Sequence, residues 1–254
     1  MSSETTGSAQ FGQRPLSLGL ILTMAVACGV AVANIYYNQP MLGVIKREFS
    51  DSWWVGLIPT ATQIGYGLGL FLLVPLGDLM DRRRLIVAQF VILGLASYAA
   101  SLAPNAAALV GASLIVGACA SVAQQIIPFA ASLASPERRG STIGMVMAGL
   151  LCGILLSRLL SGVVATYAGW REMFQLGLPM SIAGAIAMAI ALPRNYPHSG
   201  IRYTAALRSL LHLWTSEPKL RRASLMQAAA FGSFSAFWTV LALHLEEPHL
   251  DRKS

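Results

Sequence analysis

Charged residues are scarce in this sequence: Asp, Glu, Lys and Arg together make up 11% of it, against about 25% in an average soluble domain. Hydrophobic residues make up 55%, and the mean hydropathy is +0.61. This balance excludes an ordinary soluble domain and indicates an integral membrane protein. The formal net charge of +7 does not indicate nucleic-acid binding, because the Arg clusters lack interleaved aromatic residues. Basic loops that face anionic lipid account for that charge.

Cysteine is also rare. Cys28, Cys119 and Cys152 each lie inside an apolar stretch, which predicts buried, unreactive thiols and neither a disulfide nor a metal site. The four histidines lack metal-ligand spacing, and the sequence has no P-loop for a nucleotide phosphate. We therefore predict no cofactor, no enzymatic activity and no ATP-driven pump.

Long apolar stretches dominate what is present. A spanning helix needs about 20 apolar residues, and seven stretches reach that length: 16–37, 53–76, 84–103, 106–130, 141–166, 172–192 and 221–244. Residues 1–15 are polar and predicted to be disordered, and we expect no cleaved signal peptide. The prediction is an all-α membrane protein. A six-helix bundle over 16–192 is followed by a connection over 193–220, a seventh spanning helix over 221–245 and a tail over 246–254.

The basic residues predict the orientation, because Lys and Arg accumulate in cytoplasmic loops. With the N-terminus inside, twelve of them lie in inner segments and three in outer loops. The inner ones are Arg14, Arg82, Arg83, Arg84, Arg138, Arg139, Arg194, Arg202, Arg208, Lys219, Arg221 and Arg222; the outer ones are Lys46, Arg47 and Arg171. We predict a multi-pass protein of a bacterial-type inner membrane with a cytoplasmic N-terminus.

The connection before the seventh stretch contains a basic segment, Tyr203–Trp214, with apolar residues at helical spacing. Two interpretations fit this pattern equally. The segment forms an amphipathic helix on the inner membrane surface, or it is a solvated linker with one or two helical turns.

Arg158 is the main candidate for a functional residue. It lies about 17 residues into the fifth stretch, roughly 25 Å along a helix. A charge at that depth marks a functional site by default, although a snorkelling side chain that reaches the headgroups is the alternative. The eleven acidic residues lie in loops or at helix ends. Arg158 is therefore expected to face a wet cavity, to bind an anionic group, or to pair with a residue in other helices.

Polar residues within the apolar stretches are further candidates for lining a substrate cavity. The candidates are Asn34, Tyr37, Asn38, Gln63, Gln124 and Gln125. Tyr36 and Gln39 belong to the same polar run as the first three of these residues, and Tyr66 lies close to Gln63 in the second stretch. Asn34 and Asn38 are four residues apart and share a helix face. The alternatives are an interfacial aromatic belt and hydrogen bonds that only bridge neighbouring helices.

Glycines at short spacing predict close helix packing. They lie in the second stretch, at Gly65, Gly67 and Gly69, and in the fifth, at Gly149 and Gly153.

Three short motifs resemble a known family. Gly77, Leu79, Asp81 and Arg82 match the pattern G-x-L-x-D-R-x-G-R, in which Arg84 stands in place of the second glycine. Residues 169–174 resemble the G-W-R-x-x-F start of a sixth helix, and residues 136–140 a basic loop before a fifth. Together they resemble the drug and sugar efflux branch of the major facilitator superfamily.

This resemblance implies a transporter that exports a small organic solute by alternating access, with a cavity between two six-helix halves. It also implies a conformational latch of Gly77, Asp78, Asp81 and Arg82, with Arg138 or Arg139 as the partner of an acid. Ser113 stands where proton-coupled members often carry Arg, which weakens proton antiport as the mechanism. The bilayer and the solute are the expected partners, and nucleic acid is not.

The family pattern of twelve helices exceeds the seven predicted here. The rival hypothesis is therefore a non-functional product of an interrupted gene. In a third interpretation two copies of the chain form a homodimer that completes one cavity.

Overall fold

The computed structural model describes residues 17–49, 53–193 and 202–245. The predicted disordered segment 1–15 and the tail 246–254 lie outside the described residues. The described part is helical, and its α-helices are α1 (Leu18–Tyr36), α2 (Leu42–Glu48), α3 (Ile58–Leu72), α4 (Arg82–Ser101), α5 (Ala106–Ala120), α6 (Ala123–Leu133), α7 (Arg139–Tyr167), α8 (Trp170–Ala191), α9 (Tyr203–Ser216) and α10 (Pro218–Leu245).

Several helix starts are fixed by polar side chains that accept from the first free N–H groups. Leu20 N donates to Ser17 Oγ over 3.2 Å at the start of α1. Arg83 N donates to Asp81 Oδ1 over 3.0 Å in α4, and Ala108 N to Asn105 Oδ1 over 2.8 Å in α5. The residues that separate the apolar stretches in the sequence thus also start the next helix.

Within the described residues, six helical segments are long and apolar enough to cross a membrane: Leu18–Glu48, Trp53–Asp78, Arg82–Ser101, Ala106–Leu133, Arg139–Tyr167 and Trp170–Ala191. They match the first six predicted stretches within a few residues, except that the first extends through α2. The predicted seventh stretch falls on α10, and its crossing of the bilayer stays a prediction.

The second and fourth spans are not continuous α-helices. The second begins and ends in 3₁₀ turns, at Trp53–Leu57 and Pro75–Asp78. The fourth changes from α5 to α6 around Ser121, whose Oγ donates to Ala118 O over 2.7 Å. A serine that bonds back to the preceding turn competes with the regular ladder and bends a helix. Pro128 lies inside α6, where it removes one further ladder bond.

Three helix pairs hold the bundle together: α1 packs on α7, α3 on α5, and α4 on α8. Side chains from α1, α4, α6, α7 and α8 join in one buried apolar cluster, which includes Met24, Phe90, Phe129 and Met188. In these pairs α1, α3 and α4 correspond, in that order, to α5, α7 and α8. Exchanging each helix with its counterpart gives the same three pairs.

Glycine allows two of these pairs to meet at the backbone. A Cβ atom at Gly65, Gly69 or Gly117 would lie within 3.0 Å of backbone atoms across the α3–α5 contact. The same holds for Gly29, Gly149 and Gly153 across the α1–α7 contact. Close packing is therefore confirmed for the predicted glycines of both helices except Gly67.

Two predictions need correction. Gly67 has no atom within 4 Å of its Cβ position, because it lies on the face of α3 turned away from α5. Cys28 and Cys119 are buried as expected, but Cys152 is exposed. It lies on α7 next to Gly153, on a face that the described helices leave uncovered.

The two ends of the bundle differ in charge. The basic end carries Arg82–Arg84, Arg138, Arg139 and the start of α9, whereas the opposite end carries α2 and the first residues of α8. α10 starts next to α9 at the basic end and contacts α2 and the Gln39–Met41 turn at the opposite end. It therefore runs along the length of the bundle.

Candidate functional site

Arg158 lies on α7 between aromatic rings of two other helices. Its guanidinium carbon is 5.3 Å from the ring centre of Tyr36 in α1 and 5.8 Å from that of Phe234 in α10. A cation over an aromatic face contributes roughly 0.5–2 kcal/mol, more when water is excluded. Arg158 is 19 residues from the start of α7, about 28 Å along the helix at 1.5 Å per residue, and so lies towards the opposite end.

The charges of the spans are distributed unevenly. The acidic residues of the described part lie at helix ends or in connections: Glu48, Asp78, Asp81, Glu137, Glu172 and Glu217. Arg158 therefore contributes a positive charge to a region of the spans where these acids contribute none. A solute with an anionic group would be attracted to it.

Half-buried polar side chains continue this region on α3 and α6. Gln124 Nε2 donates to Tyr66 Oη over 3.0 Å, and Gln63 is half-buried one turn before Tyr66. Tyr66 packs against the same apolar cluster that contains Tyr36. Contacts therefore connect Arg158 through Tyr36 and this cluster to the Tyr66–Gln124 pair. We call Arg158, Tyr36, Gln63, Tyr66 and Gln124 the polar track.

Three of the predicted cavity residues lie between helices instead. Asn34 is buried on α1, where its Oδ1 accepts from Ser97 Oγ of α4 over 3.1 Å. Asn38 Nδ2 donates to Thr62 Oγ1 of α3 over 2.8 Å. Tyr37 Oη donates to Met180 Sδ of α8 over 3.8 Å. These contacts bridge helices, as buried polar groups in membrane proteins commonly do. A role in lining a cavity stays a prediction for all three.

Gln125 belongs to a buried amide pair that the sequence did not indicate. Its Nε2 donates to Gln89 Oε1 of α4 over 2.5 Å and to Leu73 O at the end of α3 over 3.4 Å. Gln89 Nε2 in turn donates to Ser121 Oγ over 3.5 Å. The pair links α3, α4 and α6 near the basic end, next to the predicted latch. Gln89 has no periodic or motif signal that would have identified it.

The predicted latch residues form a compact set at the basic end. Arg82 Nη2 lies 2.5 Å from Asp78 Oδ1, and Arg82 Nε donates to Gly77 O over 3.0 Å. The Arg82 guanidinium also lies 6.0 Å from the Phe129 ring centre. Asp81 caps α4, and its other oxygen is 3.8 Å from Arg84 Nε. The motif residues thus fold around each other and against α6.

The predicted basic partners of the latch lie at the start of α7. Arg138 is exposed, and Arg139 Nε donates to Ala131 O over 3.1 Å, which attaches the end of α6 to the start of α7. Whether either one pairs with Asp78 or Asp81 in another conformation stays a prediction.

The opposite end holds an ion pair that sequence reasoning missed. Arg171 Nη2 is 2.5 Å from Glu48 Oε1, and Trp170 Nε1 donates to Glu48 Oε2 over 2.5 Å. Arg171 also donates to the carbonyls of Ser101 and Ala103 over 2.8 and 3.2 Å. Gly169, with φ +121°, begins α8 in a conformation that only glycine adopts easily. The Gly-Trp-Arg motif was the available signal; its partner Glu48 lies more than a hundred residues away.

Comparison with known proteins identifies relatives along almost the whole chain. A sequence model described as the Major Facilitator Superfamily matches residues 19–252. The chain is 38% identical over 234 residues to "Uncharacterized transporter YgaY" of Escherichia coli O157:H7, covering 92% of this chain and 59% of the relative.

Two further relatives are more distant. "Probable transporter SCO4007" of Streptomyces coelicolor is 33% identical over 225 residues, which cover 88% of this chain and 52% of the relative. "Multidrug resistance protein B homolog" of Mycobacterium tuberculosis is 26% identical over 201 residues, covering 75% of this chain and 37% of the relative. The chain thus spans between about a third and three fifths of the length of these relatives.

Proposed function

Because the chain belongs to the Major Facilitator Superfamily, we propose that it is a secondary transporter that exports a small organic solute by alternating access. The six apolar spans make it a multi-pass membrane protein. The names of the relatives support transport rather than enzymatic chemistry. Export is supported by the multidrug resistance relative and by the efflux-type motifs at Gly77–Arg82 and Gly169–Phe174.

The position of Arg158 carries the proposal. A half-buried charge in a spanning helix is costly unless it has a function, and Arg158 stands where α1, α7 and α10 meet. The guanidinium attracts an anionic group of the solute, and the rings of Tyr36 and Phe234 offer flat apolar surfaces beside it. Gln63, Tyr66 and Gln124 would supply hydrogen bonds along the polar track.

The close pairing of the helices supports a mechanism in which the six spans move as one rigid bundle. The contacts at Gly29, Gly65, Gly117 and Gly153 hold neighbouring helices at backbone distance, so the six spans would move together. The segment Gly77–Arg82 and the basic residues Arg138 and Arg139 would then hold the basic end closed in one state. We place this end, with the N-terminus, in the cytoplasm of a cell whose inner membrane contains the protein.

The test is counterflow transport by the purified full chain in proteoliposomes. Three labelled probes cover the classes of solute: benzoate as an organic anion, ethidium as an organic cation and xylose as a neutral sugar. We expect accumulation of at least one probe above protein-free liposomes, with loss of that accumulation in Arg158→Ala. Arg47→Ala, an exposed arginine at the same end, is the matched control and should transport normally.

The two parts of the proposal fail separately. If no probe accumulates above protein-free liposomes although the protein is folded, the transport function is wrong. If a probe accumulates equally in Arg158→Ala and the unmodified chain, transport stands and the role of Arg158 is wrong.

A further inference from the structure

Helix α9 is attached to the bundle at its first residue. Tyr203 Oη donates to Leu72 O over 2.9 Å, and α9 contacts the Pro75–Asp78 turn that follows α3. Leu72 is the last residue of α3, six residues before the second membrane span ends at Asp78. The start of α9 is therefore held at the depth where the spans of the basic end leave the apolar part of the bilayer.

The remainder of α9 has two faces of opposite character. At 100° per residue, Tyr203, Leu207, Leu210 and Trp214 fall within an arc of about 60°. Leu211 and Leu213 flank this arc, so that the apolar face occupies nearly half of the helix. The other half carries Thr204, Arg208, Ser209, His212 and Thr215.

Most of the apolar face is not covered by the described part of the protein, although Tyr203 and Leu207 are half-buried. No residue of α9 is buried. The exposed fraction is 38% for Leu210, 60% for Leu211, 44% for Leu213 and 42% for Trp214. Four large apolar side chains on one helix face would be unfavourable in water, at roughly 25 cal/mol per Å² of apolar surface.

Positive charge surrounds this face. Between residues 202 and 222 there are five basic residues and one acidic residue, Glu217; the basic ones are Arg202, Arg208, Lys219, Arg221 and Arg222. Arg202, Arg208 and His212 also line a shallow groove of about 560 Å³ along the polar side of α9. Such a groove fits a phosphate group flanked by two guanidinium groups.

We propose that α9 is a binding surface for anionic phospholipid in the leaflet at the basic end. The apolar face of Tyr203–Ser216 lies in the boundary between headgroups and acyl chains, as amphipathic interfacial helices do. Arg202 and Arg208 bind lipid phosphates from the polar side. Trp214 and Tyr203 lie at the level that aromatic residues favour at membrane interfaces. This proposal does not depend on the transported solute or on transport itself.

Depth and charge favour lipid over a protein partner as the occupant. The hydrogen bond of Tyr203 to the end of α3 keeps α9 beside the membrane surface, where lipid is present at all times. The excess of basic over acidic residues matches the negative potential of a leaflet rich in acidic lipid, where each Lys or Arg contributes about 1 kcal/mol.

The experiment places a fluorophore on each face of α9 in the full chain. Leu211→Cys reports on the apolar face. Ser216→Cys, which is exposed on the polar face and lies outside the groove, is the matched control. Both are made with Cys152→Ala and labelled with bimane. Each protein is incorporated in nanodiscs of phosphatidylcholine, with or without 30% phosphatidylglycerol. Quenching by brominated acyl chains is compared with quenching by aqueous iodide.

We expect brominated lipid to quench the label at position 211 and iodide to quench the label at position 216. The quenching at 211 should be stronger in the discs that contain phosphatidylglycerol. The double variant Arg202→Gln, Arg208→Gln should reduce that difference, at roughly fivefold per arginine in the lipid equilibrium. Iodide quenching of both labels to the same extent would refute the proposal. Equal lipid quenching in the two kinds of disc would also refute it. So would a dimer of the chain in lipid-free detergent that protects the label at position 211 from iodide.

Discussion

Arg83 at the start of α4 binds the C-terminal end of α8, and Arg171 at the start of α8 binds the C-terminal end of α4. Arg83 is the second residue of α4 and donates to Ala189 O at the end of α8. Arg171 is the second residue of α8 and donates to Ser101 O and Ala103 O at the end of α4. The last carbonyls of a helix lack partners within it and carry the negative end of its dipole, so each guanidinium satisfies groups that would otherwise be costly to bury.

Removal of either arginine should therefore loosen the α4–α8 pair. We expect Arg171→Ala to lower the free energy of unfolding by about 1.5–3 kcal/mol, since its hydrogen bonds involve a charge. Arg83→Ala should follow in the same direction with a smaller effect, because Arg171 also pairs with Glu48. Unfolding in sodium dodecyl sulfate measures both, with Arg47→Ala as the control. Equal stability of all three variants would contradict the reciprocal role.

The glycine contacts give a sharper comparison between similar changes. Gly117→Ala and Gly153→Ala each place a methyl group within 3.0 Å of backbone atoms, and we expect losses of about 1–3 kcal/mol or more, with reduced yield of folded protein. Gly67→Ala and Gly111→Ala have nothing within 4 Å of the new carbon and should be neutral or slightly stabilising in a helix. Unfolding midpoints in detergent decide the matter, and equal effects in both groups would show that the backbone contacts are not what determines stability.

The buried amide pair predicts a non-additive result. Gln89→Leu alone leaves Gln125 without its 2.5 Å acceptor, and a buried polar group that loses its partner costs about 1–3 kcal/mol. Gln125→Leu alone should cost a similar amount. The double variant should recover much of the loss, because both polar groups are then removed. Losses that simply add would exclude the pair as a coupled unit.

The latch prediction separates transport from stability. The Asp78 side chain is 66% exposed in its ion pair with Arg82, and an exposed pair contributes at most about 1 kcal/mol to folding. We expect Asp78→Asn to slow counterflow several-fold while the unfolding midpoint changes little. Glu137→Gln, at an exposed position in the same end of the bundle, is the control. Unchanged counterflow in Asp78→Asn would leave the motif a purely structural turn.

Orientation can be tested with reporter fusions. With a cytoplasmic N-terminus, a reporter that is active only outside the cytoplasm should be active after Asn105 and inactive after Glu137. The reverse pattern would overturn the proposed orientation, together with the cytoplasmic position of α9.

The sequence predicted features that depend on neighbouring residues, and it failed for those that depend on packing. The six spans follow from runs of apolar residues. Two of the breaks between them contain Asp81 and Asn105, which cap the next helix. The Gly77–Arg82 turn was visible because its contacts are local. The Gln89–Gln125 pair and the Glu48–Arg171 pair join residues separated by 36 and 123 positions. No periodicity places such residues together, because the helix pairing that does so is set by long-range packing.

The polar candidates show the same limit. Spacing predicted Asn34 and Asn38 on one helix face, yet α1 ends at Tyr36, and Asn38 lies in the turn that follows. Asn34 meets α4 and Asn38 meets α3. A spacing of four residues therefore does not ensure a shared environment, since the helix ends between the two residues and each meets a different neighbour. Arg158, by contrast, was chosen as a candidate by its charge alone, and its role stays a prediction.

The glycine contacts also restrict how the protein can change shape. Where two backbones touch, as at Gly29 with Gly153 and at Gly65 with Leu114, neither helix can tilt without first separating from the other. These backbone contacts therefore hold each pair of helices as one rigid unit. Helices are expected to move relative to each other where only side chains meet, and the contact of Arg158 with Phe234 is such a place. Under the proposed function, a solute that displaced the Phe234 ring from the guanidinium would loosen the contact between α7 and α10. The residue proposed to recognise the solute would then also control the movement of α10.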